Sequence, residues 1–195
     1  FKGYRGFPAS LCTSVNDEIV HGIPSAGIQL KAGDILSVDC GVVMDGYVGD
    51  AAITFGIGEI GERAERLMEI TRRCLEDAVE QVRPGNRLGD IGAAVQRRAE
   101  AAGFGVVRDF VGHGIGSSMH EDPQVPNYGV PGSGPVLKPG LVLAIEPMIT
   151  EGSWRVRVDD DGWTARTEDG KLSAHFEYSV AVTDDGRRVL GLEES

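Results

Sequence analysis

The sequence has too few cysteines to be held together by them. Three occur, Cys12, Cys40 and Cys74, an odd number with no C-x-x-C spacing, so neither a disulfide framework nor a thiolate zinc site is supported and a reducing compartment, the cytoplasm, is expected. Positive charge is also scarce. Nineteen Lys and Arg stand against 30 Asp and Glu, a formal net charge of -11 and a pI near 4.8. Nucleic-acid affinity rests on clustered Lys and Arg, so this balance argues for a peptide, a small molecule or a cation as partner. No apolar run is long enough to span a bilayer, and the opening FKGYRGFPAS has no signal-peptide character. The chain starts with Phe1 rather than Met, so a natural N-terminal segment is expected to be missing from it. What is present is ordinary globular composition. With 41% hydrophobic and 25% charged residues over 195 positions, one domain spanning 1–195 with a substantial core is expected.

Residues 1–30 are rich in Gly, Pro and Ser and predict turns and extended structure leading to a strand. DILSVDCGVVMDGYVGDAAITF (34–55) is β-rich and is split by Asp45-Gly46, the strongest short hairpin signal. In EIGERAERLMEITRRCLEDAVEQV (59–82), Ala64, Leu67, Met68, Thr71, Cys74, Leu75, Ala78 and Val82 recur at helical spacing with charges between them, which predicts an amphipathic helix against a sheet. Pro84-Gly85 ends it. Leu88, Ile91, Val95, Ala99 and Ala102 then stripe a second helix that stops at Gly103. A Gly-rich stretch follows, and the last third is strand-like, with turns at Asp161-Gly162 and Asp169-Gly170. The pattern is α+β, with helices packed on a largely antiparallel sheet and each half supplying strands that carry two out-of-place carboxylates.

Those carboxylates are the chemical signal. A two-residue turn at Asp45-Gly46 pairs Met44 with Tyr47 and therefore Gly41 with Asp50, which makes Asp39 and Asp50 diagonal neighbours on one face, roughly 7 Å or less apart. Two unpaired carboxylates that close repel, and a cation reverses the sign of the problem. Gly41 and Gly49 are expected to leave room around them. A solvated face is the plainer reading, with Leu36, Val38, Cys40, Val42 and Met44 opposite expected to supply the core; Ile35 and Val43 beside the aspartates spoil the polar alternation it requires. Glu146 in LVLAIEPMIT and Glu177 in HFEYSVAV likewise interrupt apolar, branched or aromatic runs. Glu is almost never buried unless paired or holding a metal. His113, between two glycines, can supply a nitrogen donor.

NDEIVHGIP (16–24), VDCGVVMDGYVGDAAITF (38–55), GHGIGSSMHEDPQV (112–125), AIEPMI (144–149) and DGWTARTEDGKLSAHFEYSVAVT (161–183) together resemble the bacterial type I methionine aminopeptidases, metallopeptidases of the pita-bread fold. Five motifs in the family's order cover nearly all of the chain. The resemblance implies an antiparallel sheet with helices on one face, pseudo-two-fold halves, and a family N-terminal helical segment that this chain lacks. It implies two divalent metal ions, of Co, Mn, Fe or Zn, held by Asp39, Asp50, His113, Glu146 and Glu177, with Asp50 and Glu177 bridging. It implies that a hydroxide between the metals attacks, with Glu146 as proton shuttle, His120 stabilising the tetrahedral intermediate and His21 positioning the substrate. Tyr4, Phe7, Cys12, His21, Met119 and Trp163 would line the methionine pocket, where a thioether suits a polarizable aromatic wall. Met119 stands where many relatives carry an aromatic residue and Phe1 where a cysteine is common, so the pocket's shape is expected to differ. The implied activity is removal of the initiator methionine from nascent chains with a small second residue, by a cytoplasmic monomer that visits ribosomes. The alternatives are an X-Pro aminopeptidase or prolidase of the same fold, or a metal-free protein-binding module. Cys12 and HGIP favour methionine, and the filled ligand positions speak against the module.

Overall fold

The Asp45-Gly46 hairpin forms in the computed structural model, which describes residues 1–191. Both turn residues have positive φ, 50° and 83°, the geometry whose twist matches that of paired strands. In chain order the strands before the helices are β1 (Cys12–Val15), β2 (Glu18–Val20), β3 (Ile35–Met44) and β4 (Tyr47–Gly56). The helices are α1 (Glu62–Glu80) and α2 (Leu88–Ala101). After them come β5 (Gly105–Val106), β6 (Gly112–Gly114), β7 (Glu121–Val125), β8 (Val142–Ile145) and β9 (Met148–Thr150). The last are β10 (Val156–Val158), β11 (Ala165–Thr167), β12 (Ser173–His175), β13 (Tyr178–Thr183) and β14 (Gly186–Val189). They assemble in the orders β1-β3-β4, β10-β11-β2, β12-β9-β5 and β14-β13-β8-β6-β7, and neighbours run antiparallel.

The helical stripe is buried as its spacing predicts. Leu67, Thr71, Cys74, Leu75 and Ala78 of α1 pack with Ile91, Val95 and Ala99 of α2, while Met68 is only partly buried at the margin. Asp90 accepts the backbone N–H of Arg87 at 2.8 Å and caps the start of α2. Gly103, at φ 81°, follows its end. The helix pair packs on Leu143 and Ile145 of β8, Ile149 of β9, Val180 of β13, and Phe176 between β12 and β13. The alternate residues of β8 therefore face the opposite way, into the interior site.

One expectation about β3 is overturned. Its buried residues are Ile35 and Ser37, on the aspartate side, whereas Val42 and Met44 opposite are 51% and 71% exposed. Ile53 and Phe55 of β4 are also exposed on that outer face. The cause is helix placement: α1 and α2 pack into one core with the inward-facing Ile35, and among the described residues no helix covers the outer face of β3 and β4. The aspartates thus point inward.

Candidate metal centre

Strand register brings the acidic residues together. β3 and β4 pair Asp39 with Ala52 and Gly41 with Asp50; Cys12 pairs with Asp39 on the other side, and an isolated bridge joins Ala52 to Glu177. Cys12, Asp39, Ala52 and Glu177 form one row across the strands, and residues of a row share a face. A second row starts at Gly41 and Asp50. The Ser179 hydroxyl accepts the Asp50 N–H at 3.0 Å and donates to the Asp50 carbonyl at 2.8 Å, and Ser179 leads through Ala144 to His113. Glu146 lies two residues past Ala144, just beyond the end of β8, where Pro147 breaks the strand. Asn127 ties it down by donating to its carbonyl at 2.9 Å.

The glycines flanking His113 have a packing reason. A Cβ on Gly112 would lie 2.3 Å from the Ala144 carbonyl oxygen, and one on Gly114 would lie 2.3 Å from that of Asp122. Only bare backbone lets β6 lie this close between its neighbours. His113 Nδ1 sits 2.8 Å from the Gly114 carbonyl, which can only accept, so the ring donates there and turns the Nε2 lone pair toward the carboxylates.

Ligand atoms of Asp50, His113 and Glu177 lie within 4.8 Å of one another, and His113 Nε2 is 3.6 Å from Glu146 Oε1. Asp50 and Glu177 are 7% and 2% exposed. Asp39 Oδ1, Asp50 Oδ1 and Glu177 Oε1 are buried with no hydrogen-bond partner. Burial, and then the neighbouring negative charges, push Asp39, Glu146 and Glu177 well above the usual carboxylate range. Burial also raises Asp50 to about 6. Among the described residues, the ion-pair contacts of Glu146 and Glu177 are with histidines alone, His113 and His175. Buried charge of one sign with orphaned oxygens fits a cation site, and four carboxylates with one imidazole form a fairly hard set suited to Mn, Fe, Co or Zn.

A cavity of about 140 Å³ opens above this floor. Phe7 and Trp163 meet edge to face at 5.1 Å, and the His21 ring stands edge-on between Phe110 at 5.3 Å and Trp163 at 6.4 Å. His21 has φ 61°, a conformation a non-glycine residue holds only when its surroundings enforce it. Asp161 fixes the Trp163 turn by accepting the N–H groups of Trp163 and Thr164, each at 2.8 Å. The Tyr4 hydroxyl lies 2.8 Å from His120 Nδ1, and the His120 ring is 4.1 Å from that of His113. Burial, then the charges of His113, Arg5 and His21, lower His120 to about 4. Burial and the nearby acids raise the Cys12 thiol, so it stays neutral.

Tyr4, Phe7, Cys12, His21, Trp163, His120 and the five acidic and imidazole positions border this one cavity. Met119 does not border it; it is buried beside the wall, against Phe1 and Gly41. The two glycines do not open space around the aspartates. A Cβ on Gly41 would lie 2.8 Å from the Phe1 ring and 2.9 Å from the Met119 methyl, and Gly49 is on the outer face. Arg5 and His175 were not foreseen as site residues, and Phe1 only as a departure bearing on the pocket's shape. Phe1 and Arg5 also line the cavity, next to a turn at Tyr4–Gly6 that the local glycines allow but do not aim. His175 had a sequence signal: it stands two residues before Glu177 and so can share its face.

The chain matches metallopeptidase family M24 over residues 2–184. It is 55% identical over 194 residues to a methionine aminopeptidase of Clostridium acetobutylicum, covering 100% of this chain and 78% of that protein. It is 50% identical over 190 residues to methionine aminopeptidase 1 of Bacillus subtilis, covering 97% and 76%. The crystal structure of methionine aminopeptidase from Thermotoga maritima superposes with a TM-score of 0.97 at 52% identity, covering 99% of this chain and 78% of that one. A prolidase from Pyrococcus horikoshii shares the fold alone, with a TM-score of 0.74 at 22% identity over 95% of this chain and 48% of its own. The common architecture is the pita-bread fold.

Proposed function

We infer the activity from the lineage: this chain belongs to metallopeptidase family M24, and it removes N-terminal methionine from polypeptides in a metal-dependent hydrolysis. The observation that carries the chemistry is the set of buried, unpartnered carboxylate oxygens on the floor of an aromatic-walled cavity. Asp39, Asp50, His113, Glu146 and Glu177 would hold divalent cations there, two in number, drawn from Co, Mn, Fe or Zn. When bound, such cations activate water at neutral pH, polarise the scissile carbonyl and orient the free amine.

The chain's own groups do the rest. Glu146, which borders the cavity, would take the proton of the attacking water as a carboxylate and pass it to the leaving nitrogen. With the Tyr4 hydroxyl, 2.8 Å away, donating to His120 Nδ1, the imidazole proton would sit on Nε2 and would be donated to the carbonyl oxygen under attack. His21, held between two aromatic edges, positions the scissile peptide. Tyr4, Phe7, Cys12, His21 and Trp163 shape the pocket for the thioether. The substrates are nascent chains with a small second residue, met in the cytoplasm by a monomeric single-domain enzyme that visits ribosomes. No helix of the described residues is long and apolar enough to cross a membrane.

The test is peptide hydrolysis. Protein loaded with Mn, Fe, Co or Zn in turn should release free methionine from Met-Gly and Met-Ala peptides, and chelator should stop it. No release with any of the four metals overturns the reading, as does cleavage of an X-Pro peptide while Met-Ala stays intact.

A further inference from the structure

His175 has no part in the chemistry above, yet it is built into the centre. It is 1% exposed. Its backbone N–H donates to Thr54 Oγ1 at 3.0 Å and its carbonyl accepts the Thr54 hydroxyl at 2.7 Å. Ser37 completes the clamp, donating to Thr54 Oγ1 at 2.8 Å. The backbone of His175 is thus anchored on β4. The ring Nε2 is buried with no hydrogen-bond partner, and the polar atoms it faces are Glu146 Oε2 at 3.8 Å and Glu177 Oε2 at 4.0 Å. The other oxygens of these glutamates have different surroundings: Glu146 Oε1 lies 3.6 Å from His113 Nε2, and Glu177 Oε1 is buried without a partner.

We propose that His175 is a positioning residue: its Nε2–H, 3.8 and 4.0 Å from Glu146 Oε2 and Glu177 Oε2 and so beyond hydrogen-bond length in the metal-free protein, closes on these oxygens when a cation binds, so that the other oxygen of each glutamate stays aimed at the cation. Ionised carboxylates only accept hydrogen bonds. A nitrogen facing two of them, once a bound cation has ionised both, is therefore satisfied only as a donor, and leaving a buried imidazole nitrogen unpaired is destabilising. A glutamate's terminal torsion is broad and roughly two-fold, so without a donor behind it either oxygen can swing away from the metal. Donors placed behind carboxylate and imidazole ligands typically govern about 10- to 100-fold in metal affinity or activity. This role rests on the reading of the acidic cluster as a cation site.

The experiment compares wild type, His175→Gln and His175→Leu by isothermal titration with Mn²⁺ and Co²⁺, with the visible Co²⁺ spectrum and Met-Ala kinetics alongside. H175L should bind about 10- to 100-fold more weakly and lose kcat with little change in KM. H175Q, whose amide NH₂ also donates, should recover most of the affinity with an unchanged Co²⁺ spectrum. Equal affinity in all three proteins overturns the proposal. So does an H175Q as weak as H175L with a shifted Co²⁺ spectrum, which would make Nε2 a ligand itself. A readout without any variant is the ¹⁵N spectrum of histidine-labelled wild type loaded with diamagnetic Zn²⁺, in which both glutamates are ionised: a protonated Nε2 at His175 is expected, and an unprotonated one refutes the donor role. Failure of wild type to release methionine, with the affinity pattern intact, would touch the peptidase reading alone.

Discussion

Replacing Asp50 by Asn is expected to stabilise the metal-free protein and to remove its response to metal. Asp50 is 7% exposed, its Oδ1 has no partner, and Asp39 is its diagonal neighbour. Burial first of all raises its pKa from 3.8 to about 6. A carboxyl whose folded pKa lies above its unfolded one binds its proton more tightly in the folded state. Its contribution is therefore fully present below about pH 4 and is lost as the pH rises through about 6. Roughly two pH units at 1.36 kcal/mol each come to about 3 kcal/mol lost at pH 7. Asparagine is nearly isosteric and stays neutral, so in chelator at pH 7 the variant should melt about 6 to 12 °C higher, given about 2 to 4 °C per kcal/mol for a chain of this size. At pH 4 the two should converge. A cation inverts the order, because wild type gains about 4 kcal/mol at a metal concentration a thousandfold above Kd and the variant has lost a ligand. Thermal unfolding by circular dichroism in chelator and in Mn²⁺, at both pH values, reads all of this. A variant that melts below wild type in chelator at pH 7, or that gains as much from Mn²⁺, would refute the reasoning.

Arg166 bonds Glu18 Oε1 at 2.6 Å and Asp17 Oδ1 at 2.8 Å, and Glu18 is buried. Burial raises the Glu18 carboxyl and the arginine pulls it back. Arg166→Met should therefore cost about 3 to 5 kcal/mol in urea unfolding, because it strands a buried charge. Adding Glu18→Gln should restore part of the loss; a double variant no more stable than the single one would show the stranded charge is not the cause. Leu75 lies at the centre of the helix–sheet core with no exposed surface, and Leu75→Ala should lower stability by about 2 to 5 kcal/mol. A loss well below 1 kcal/mol would contradict the tight packing of α1 on the strands.

How much was legible depends on how local the cause is. Asp39 and Asp50 could be paired from sequence because a two-residue turn sets the register of the whole β3–β4 hairpin, and that register is the one observed. The stripes of α1 and α2 were legible because buried residues recur every turn. The inward face of β3 was not. Both of its faces carry apolar residues, so periodicity says that they differ but not which one is covered, and the answer lies in where distant helices pack. The space around Gly41 was misjudged for a related reason: the Phe1 ring fills it, and nothing in the local pattern announces that.

Glu146 and Glu177 stood out because a carboxylate amid branched and aromatic neighbours violates the burial rule wherever it occurs, and that anomaly is a property of the chain alone. Their meeting with the aspartates is not. It depends on the bridge from Ala52 to Glu177 and on Ser179 locking onto Asp50, contacts between residues more than a hundred positions apart, whose register no turn sets. The residue types and the local hairpin were written in the sequence by short-range geometry. The shared centre, the inward side of the sheet and the placing of His175 behind two glutamates were decided by long-range strand pairing, where one residue of slip would have turned every one of these side chains the other way.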